Sequence, residues 1–242
     1  DMQSPVIGFN EDYGHATKAA AWAILARLYL NAEVYIGQAK YTECITYCNK
    51  VIGAGFELES VYGDMFKADN DHSKEMILPV RYEGENTMTW GGMTAFLNWG
   101  ANALKEVTNA KDAWQGVRAK SSLLRIFEKE KNSDADARRS MLHTELTENV
   151  EITDQTAFIN NGIPVAKYYN VYKDGSLPPN KEAYVDFPLI RLGEIYLNYA
   201  EAVLRGGTGG DKATALNYIN DLRKRAYTDD TKAVISSNDL NL

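Results

Sequence analysis

A spacing that occurs twice constrains this chain more than any other feature. Leu25-Ala26 is followed three residues later by Tyr29, which opens the tripeptide Tyr-Leu-Asn; Leu192-Gly193 is followed at the same distance by Tyr196, which opens it again. Each copy leads into a second segment with apolar or small residues at +4 and +3: Cys44, Cys48 and Val51 in one, Ala215, Ile219 and Leu222 in the other. Recurrence every three or four residues marks one face of an α-helix, so each copy reads as an antiparallel helical hairpin. A small residue at a crossing lets two helices approach closely, and an aromatic one turn on fills the space between hairpins. This is tetratricopeptide-like logic. The first helix of each copy is longer than the standard repeat, so the match is to the packing pattern and not to the full consensus.

The first hairpin is expected over 14–55. Its opening helix spans 16–36, with Thr17 near the start and Gly37 closing it, and Trp22 lies at core spacing. Its second helix is "KYTECITYCNKVIGAG", with Tyr41, Cys44, Ile45, Cys48, Val51 and Ile52 on one face. Cys44 and Cys48 are one helical turn apart, which is awkward for a disulfide. His15, His72 and His143 are too scattered to complete a metal site with them, so both cysteines read as small core residues. The second hairpin is expected over 186–227. "DFPLIRLGEIYLNYAEAVLRGG" reads as a helix opened near Pro188 and stopped by paired glycines. "DKATALNYINDLRKRAY" is its partner, with Asp211 as N-cap. A tail follows over 228–242. Such hairpins stack in arrays and two are few for a stable one, so the chain, which begins at Asp1 without a leader-like segment, is expected to be part of a larger fold.

Residues 56–185 differ in character. "GFELES", "KEMILPVRYEG" and "VAKYYNVYKDG" hold short strand-like runs, "AKSSLLRIFEKEK" is a short amphipathic helix, and "NSDADARRS" and "DGSLPPNKE" read as exposed loops. The fold class is therefore mainly α: one domain over 1–242, in which helical hairpins frame an irregular, loop-rich insert with a few short strands.

The insert carries three of the four tryptophans, and each has a glycine close behind: Trp90 and Trp99 in "TWGGMTAFLNWGAN", Trp114 in "AWQG". A flat ring offers an apolar platform suited to the C–H face of a sugar, and an adjacent glycine removes steric cover from it. Asn98, Asn102 and Arg118 supply hydrogen-bonding groups nearby. Packing of the same rings against Phe96 and Leu97 is the competing reading, and spacing alone leaves both open. The net charge of −7 argues against a nucleic-acid partner, which needs a basic surface. No run of twenty apolar residues is present. A glycosidase needs two placed carboxylates. Glu83, Glu85 and Asp112 are near one another, but among 33 acidic residues that proximity carries little, and there is no Gly-x-Ser-x-Gly elbow, phosphate loop or zinc spacing.

Three stretches resemble the SusD/RagB family: "HATKAAAWAILARLYLNAEVYIG", "DFPLIRLGEIYLNYAEAVLR" and "KADNDHSKEMILPVRYEGENTMTWGG". The likeness runs from about Gly14 to Tyr227. The resemblance implies a non-catalytic, outward-facing outer-membrane lipoprotein that binds oligosaccharide, an α-glucan in the starch-binding type, and hands it to a TonB-dependent SusC-like transporter. The anchoring lipid would precede Asp1. It also implies that Trp99 and Trp114, with Trp90 less firmly, belong to an arc of aromatics, with Asn98 and Arg118 as polar contacts. No cofactor is required. Calcium is held by some relatives of the starch type, for which Asp69, Asp71 and Asp186 are the candidate ligands. Arg191, Glu194 and Glu201 read as salt bridges of the frame. A tetratricopeptide-type scaffold for a protein partner is the alternative function, and a glycoside hydrolase the third.

Overall fold

The computed structural model describes residues 2–87, 102–112, 117–130, 132–157 and 160–240. Helix α1 (Lys18–Leu30) starts where expected, because the Thr17 side chain accepts the Ala20 N–H at 3.2 Å. The expected single helix over 16–36 is broken at Asn31, and α2 (Ala32–Ile36) continues to Gly37. Gly37 takes the left-handed conformation and its N–H returns to the Glu33 carbonyl, a glycine C-cap. Helix α3 (Tyr41–Ile52) buries Cys44, Ile45, Cys48 and Val51, the apolar stripe of its sequence. Both cysteines are free and buried, with their sulfurs 3.9 Å apart.

The first strand-like run, "GFELES", forms no strand; strand β1 (Met76–Val80) lies in the second, "KEMILPVRYEG". Helices α4 (Asn102–Thr108) and α5 (Ser121–Lys129) follow in the insert. The helix expected to open near Pro188 is not one there: Phe187–Arg191 forms strand β2, antiparallel to β1, and helix α6 (Leu192–Leu204) begins only after it. Pro79 and Pro188 face each other in this ribbon, and its register slips on either side of Leu78. Proline lacks the N–H a ladder needs, which confines it to short edge pairings of this kind. Helix α7 (Lys212–Lys224) is capped by Asp211, whose carboxylate accepts the Thr214 N–H at 2.8 Å. Helix α8 (Asp230–Ala233) closes the order.

The four long helices stack as α1, α3, α6, α7, so the two hairpins touch directly although the whole insert separates them in sequence. Ala19, Ala23 and Ala26 of α1, the α3 stripe, and Ile195, Tyr199, Ala200, Ala202 and Val203 of α6 form one core with Ala215 of α7. Trp22 is half-buried and packs against it, as expected. Tyr29 stacks on Tyr47 at 5.5 Å, and Tyr196 on Tyr218 at 4.1 Å, so the aromatic of each repeat packs within its own hairpin and not, as expected, between the hairpins.

The third strand-like run, "VAKYYNVYKDG", forms only isolated bridges, Tyr169 with Lys67 and Val165 with Leu142. "NSDADARRS" is not an exposed loop. It winds into two short 3-10 turns, 133–135 and 137–141, that bury Ala135 and Asp136. Asp136 earns that burial by capping the second turn through the Arg138 N–H at 3.0 Å and pairing with the Arg138 guanidinium at 2.6 Å.

Candidate functional site

Trp90, Asn98, Trp99 and Trp114 lie outside the described residues, so the site is read from the framework at the ends of the segment that carries them. At its start, the Glu83 carboxylate accepts the backbone N–H groups of Glu85 at 3.2 Å, Asn86, and Thr87 at 2.7 Å. Glu83, a candidate glycosidase carboxylate, is thus a turn-forming group. Gly84 lies under the ring of Tyr184, where a Cβ would come within 2.2 Å of a ring carbon.

Past α4, Asn109 adopts a left-handed conformation and is clasped by buried Asn170. The Asn170 N–H donates to the Thr108 carbonyl at 2.8 Å and the Asn109 amide to the Asn170 carbonyl at 2.9 Å. Asn170 then donates to the Glu182 carbonyl and accepts the Tyr184 N–H, tying three stretches of the insert to one amide. Its sequence neighbourhood, within "VAKYYNVYKDG", reads as a short strand-like run, and only the distant contacts reveal the role.

After Trp114 the chain runs antiparallel to 161–163: Ala119 and Ile163 exchange backbone hydrogen bonds of 2.8 and 2.9 Å. Gly162 makes this possible at φ +78°, since a Cβ there would press within 2.8 Å of Ile152. Arg118 crosses the same loop and donates from Nη1 to the carbonyls of Ala157, at 2.6 Å, and Asn161. Part of the donor fork expected to read hydroxyls therefore holds a loop. Its Nε is buried without a hydrogen-bond partner.

Arg118 also lines a cavity of about 390 Å³ under this loop. Phe66, Tyr168 and Phe187 give it aromatic walls, and Lys167 and Arg191 join Arg118 as cations. Lys167 sits 4.4 Å from the centroid of Phe66. Burial, and secondarily the charge of Arg191, bring its amine down to about 8.

The three aspartates suggested for calcium are placed as follows. Asp69 accepts the Lys173 N–H at 3.1 Å, and Asp71 pairs with His72 at 2.6 Å. Asp186 is buried and accepts the Tyr13 hydroxyl and the Tyr82 N–H, each at 2.7 Å. Burial pushes its carboxyl up to about 6 against the lowering effect of those two donors. Asn70, between the first two aspartates, spends its amide on the backbone of Asp186, donating and accepting at 2.9 Å. Among the described residues no group of three His, Cys, Asp or Glu side chains is placed to hold a metal ion.

The predicted frame salt bridges are present. Glu194 takes Arg27 at 2.6 Å, Glu201 takes Arg205 at 2.7 Å, and Arg191 reaches the buried carboxylate of Glu75 at 2.6 Å. Glu75 itself was not singled out in the sequence; Arg225 reaches it as well.

This chain matches the SusD family over residues 118–241. The chain belongs to the SusD family. It is 31% identical, over 88% of its own length and 46% of the relative's, to the starch-binding protein SusD of Bacteroides thetaiotaomicron. A SusD superfamily structure from the same species aligns with TM-score 0.66 at 21% identity, covering 99% of this chain and 46% of that one. A structure solved with a xylogluco-oligosaccharide aligns with TM-score 0.63 at 22% identity over 96% and 48%. The chain thus spans about half the length of these relatives. The family match opens at Arg118 and takes in the 161–163 bridge, β2 and the second hairpin, whereas the tryptophan segment precedes it.

Proposed function

We propose that this chain is the oligosaccharide-binding portion of a cell-surface SusD-type protein, which holds glycan without cutting it. The observation that carries the proposal is the anchoring of the tryptophan-glycine segment. The described residues that flank it, Glu83 on one side and Arg118 on the other, are each held by several hydrogen bonds to the backbone. Trp99 and Trp114, with Trp90 less firmly, stack on sugar faces, and Asn98 and Arg118 contribute hydrogen bonds. The likeness to a starch-binding protein favours an α-glucan. Delivery to a TonB-dependent SusC-like transporter, from an outer-membrane lipoprotein, completes the role, and it requires no cofactor.

A protein partner is favoured by a separate observation. Ile24 and Leu28 of α1 and Val34, Tyr35 and Ile36 of α2 are exposed large apolar residues on two successive helices, the kind of exposure that marks contact surfaces when contiguous. These residues are separate in sequence from the tryptophan segment, so the two readings are compatible.

The test is titration of intrinsic tryptophan fluorescence with maltoheptaose, cellohexaose and xylohexaose. A saturable change with the first alone, at a dissociation constant of roughly micromolar to millimolar, is the expected result. Equal responses to all three would remove the α-glucan assignment, and released reducing ends would replace binding by hydrolysis.

A further inference from the structure

Residues 83–87 precede the part of the sequence that carries Trp90 and Trp99, and residues 102–111 follow it. Both flanks are held by one short stretch far along the chain, residues 180–184. That stretch follows Pro178 and Pro179, whose rings fix φ. It opens on a turn in which the Asn180 side-chain oxygen accepts the Glu182 N–H at 2.9 Å. On the first flank, Asn180 Nδ2 donates to the Gly84 carbonyl at 3.2 Å. Gly84 is buried against the Tyr184 ring, where an added Cβ would overlap Cε2, Cζ and the hydroxyl oxygen. On the second flank, Lys111 pairs with Glu182, and Lys181 with Glu106 of α4 at 3.4 Å. Buried Asn170 joins the same side: its amide donates to the Glu182 carbonyl at 2.8 Å and accepts the Tyr184 N–H at 3.0 Å, while its backbone bonds Thr108 and Asn109.

These contacts are unequal. The Lys181–Glu106 pair is exposed and contributes little. Tyr184, by contrast, packs against the core that includes Phe66, Met76 and Val185, so its ring joins Gly84 to that core. Its hydroxyl is buried without a hydrogen-bond partner. An unmade hydrogen bond of that kind costs stability, so the contribution of Tyr184 lies in its ring. A loop whose ends are held at a set separation has fewer arrangements open to it than one with free ends. Less ordering then opposes the binding of a ligand to that loop.

We infer that Tyr184, with Gly84 seated against its ring, is a positioning residue for glycan binding: it fixes the flank before Trp90 relative to the flank after Trp99 without touching sugar. The inference rests on the glycan-binding reading and deepens it, since it makes affinity depend on a residue nearly a hundred positions from the nearest of those tryptophans.

The experiment compares the unaltered chain with Tyr184→Ala, Tyr184→Phe and Gly84→Ala. Each is titrated with maltoheptaose by calorimetry, its tryptophan emission is quenched with acrylamide, and its thermal unfolding is recorded. Tyr184→Ala and Gly84→Ala are expected to fold and to bind at least tenfold more weakly, with altered quenching. Tyr184→Phe, which keeps the ring, is expected to restore both readings to those of the unaltered chain. Unchanged affinity in folded Tyr184→Ala overturns the inference, as does a Tyr184→Phe variant as weak as Tyr184→Ala. If Tyr184→Ala does not fold, Gly84→Ala decides. If neither folds, Tyr184 serves the fold as a whole and the inference is overturned. Should the unaltered chain bind no maltoheptaose, the α-glucan reading fails by itself, and quenching decides the positioning role: equal quenching in all four chains overturns it.

Discussion

Arg225, the residue that ends helix α7, closes on the carboxylate of Glu75 from 150 positions away in the sequence. Its Nη2 lies 3.2 Å from one oxygen and its Nη1 binds the other, while Arg191 takes the first oxygen at 2.6 Å. The Glu59 and Gly193 N–H groups complete the shell at 2.9 and 3.3 Å. Glu75 is fully buried, so one carboxylate joins the first hairpin's exit, the β-ribbon and both helices of the second hairpin.

Removing that charge leaves two guanidinium groups facing each other with their common partner gone. Glu75→Gln keeps the shape and loses the charge. It is expected to cost about 3–5 kcal/mol, the scale for breaking a buried pair from one side. Urea denaturation followed by far-ultraviolet circular dichroism measures it. A cost under about 1 kcal/mol, the scale of exposed pairs, would show that the cluster is not a structural joint.

The same cluster explains a departure within the repeat. Ala26 of the first hairpin corresponds to Gly193 of the second, where a Cβ would stand 2.4 Å from Arg191 Nη1 and 3.0 Å from Glu75 Oε1. Gly193→Ala is expected to destabilise by about 1–3 kcal/mol through overpacking, although alanine is the better helix former. At Ala26, which is buried in the helical core, the reverse change to glycine is also expected to destabilise, by about 1 kcal/mol from propensity alone. Thermal unfolding of the two variants checks the pair, and a stabilised Gly193→Ala would contradict the argument.

Two buried carboxylates are expected to shape the pH profile in opposite directions. At Glu75 burial alone would raise the carboxyl, but Arg225 and Arg191 outweigh it and hold it below its ordinary 4.5. Its stabilisation is therefore present above that value and is lost as pH falls through the lowered one. At Asp186 the folded value is about 6 against an ordinary 3.8. Between these values the unfolded chain releases a proton that the folded chain keeps, so stability falls as pH rises, by about 2–3 kcal/mol in all. Asp186→Asn should flatten the profile between pH 4 and 6, and Glu75→Gln should flatten it on the acid side. Denaturant midpoints taken across pH 3–7 test both, and a profile unchanged by Asp186→Asn would remove the assignment.

The helical frame was largely legible because its signals are local. Thr17 and Asp211 cap from within three residues, Gly37 closes by its own conformation, and the recurring small-aromatic spacing identified both hairpins. Tyr47 and Tyr218, three residues after Cys44 and Ala215, extend the repeat and pair with Tyr29 and Tyr196; the sequence shows them, but only their stacking gives them meaning. Distant pairings were not legible. Phe187–Arg191 is a strand because Met76–Val80 lies beside it, and no local signal separates that from a helix opened by Pro188. Asn70, Asn170 and Glu75 act through partners far along the chain, so their own neighbourhoods read as turn and strand. The candidate site divides in the same way: its rings stood out by composition, while the Asn170 clasp and the cavity lined by Arg118 depend on tertiary contacts.

The most direct test of the central claim compares the unaltered chain with Trp114→Ala by calorimetric titration of maltoheptaose, with thermal unfolding recorded for each. The account predicts an unchanged melting temperature and an affinity at least tenfold weaker in the variant, a loss of about 1.4 kcal/mol. Equal affinity in a folded variant would contradict it and return Trp114 to the packing of the insert.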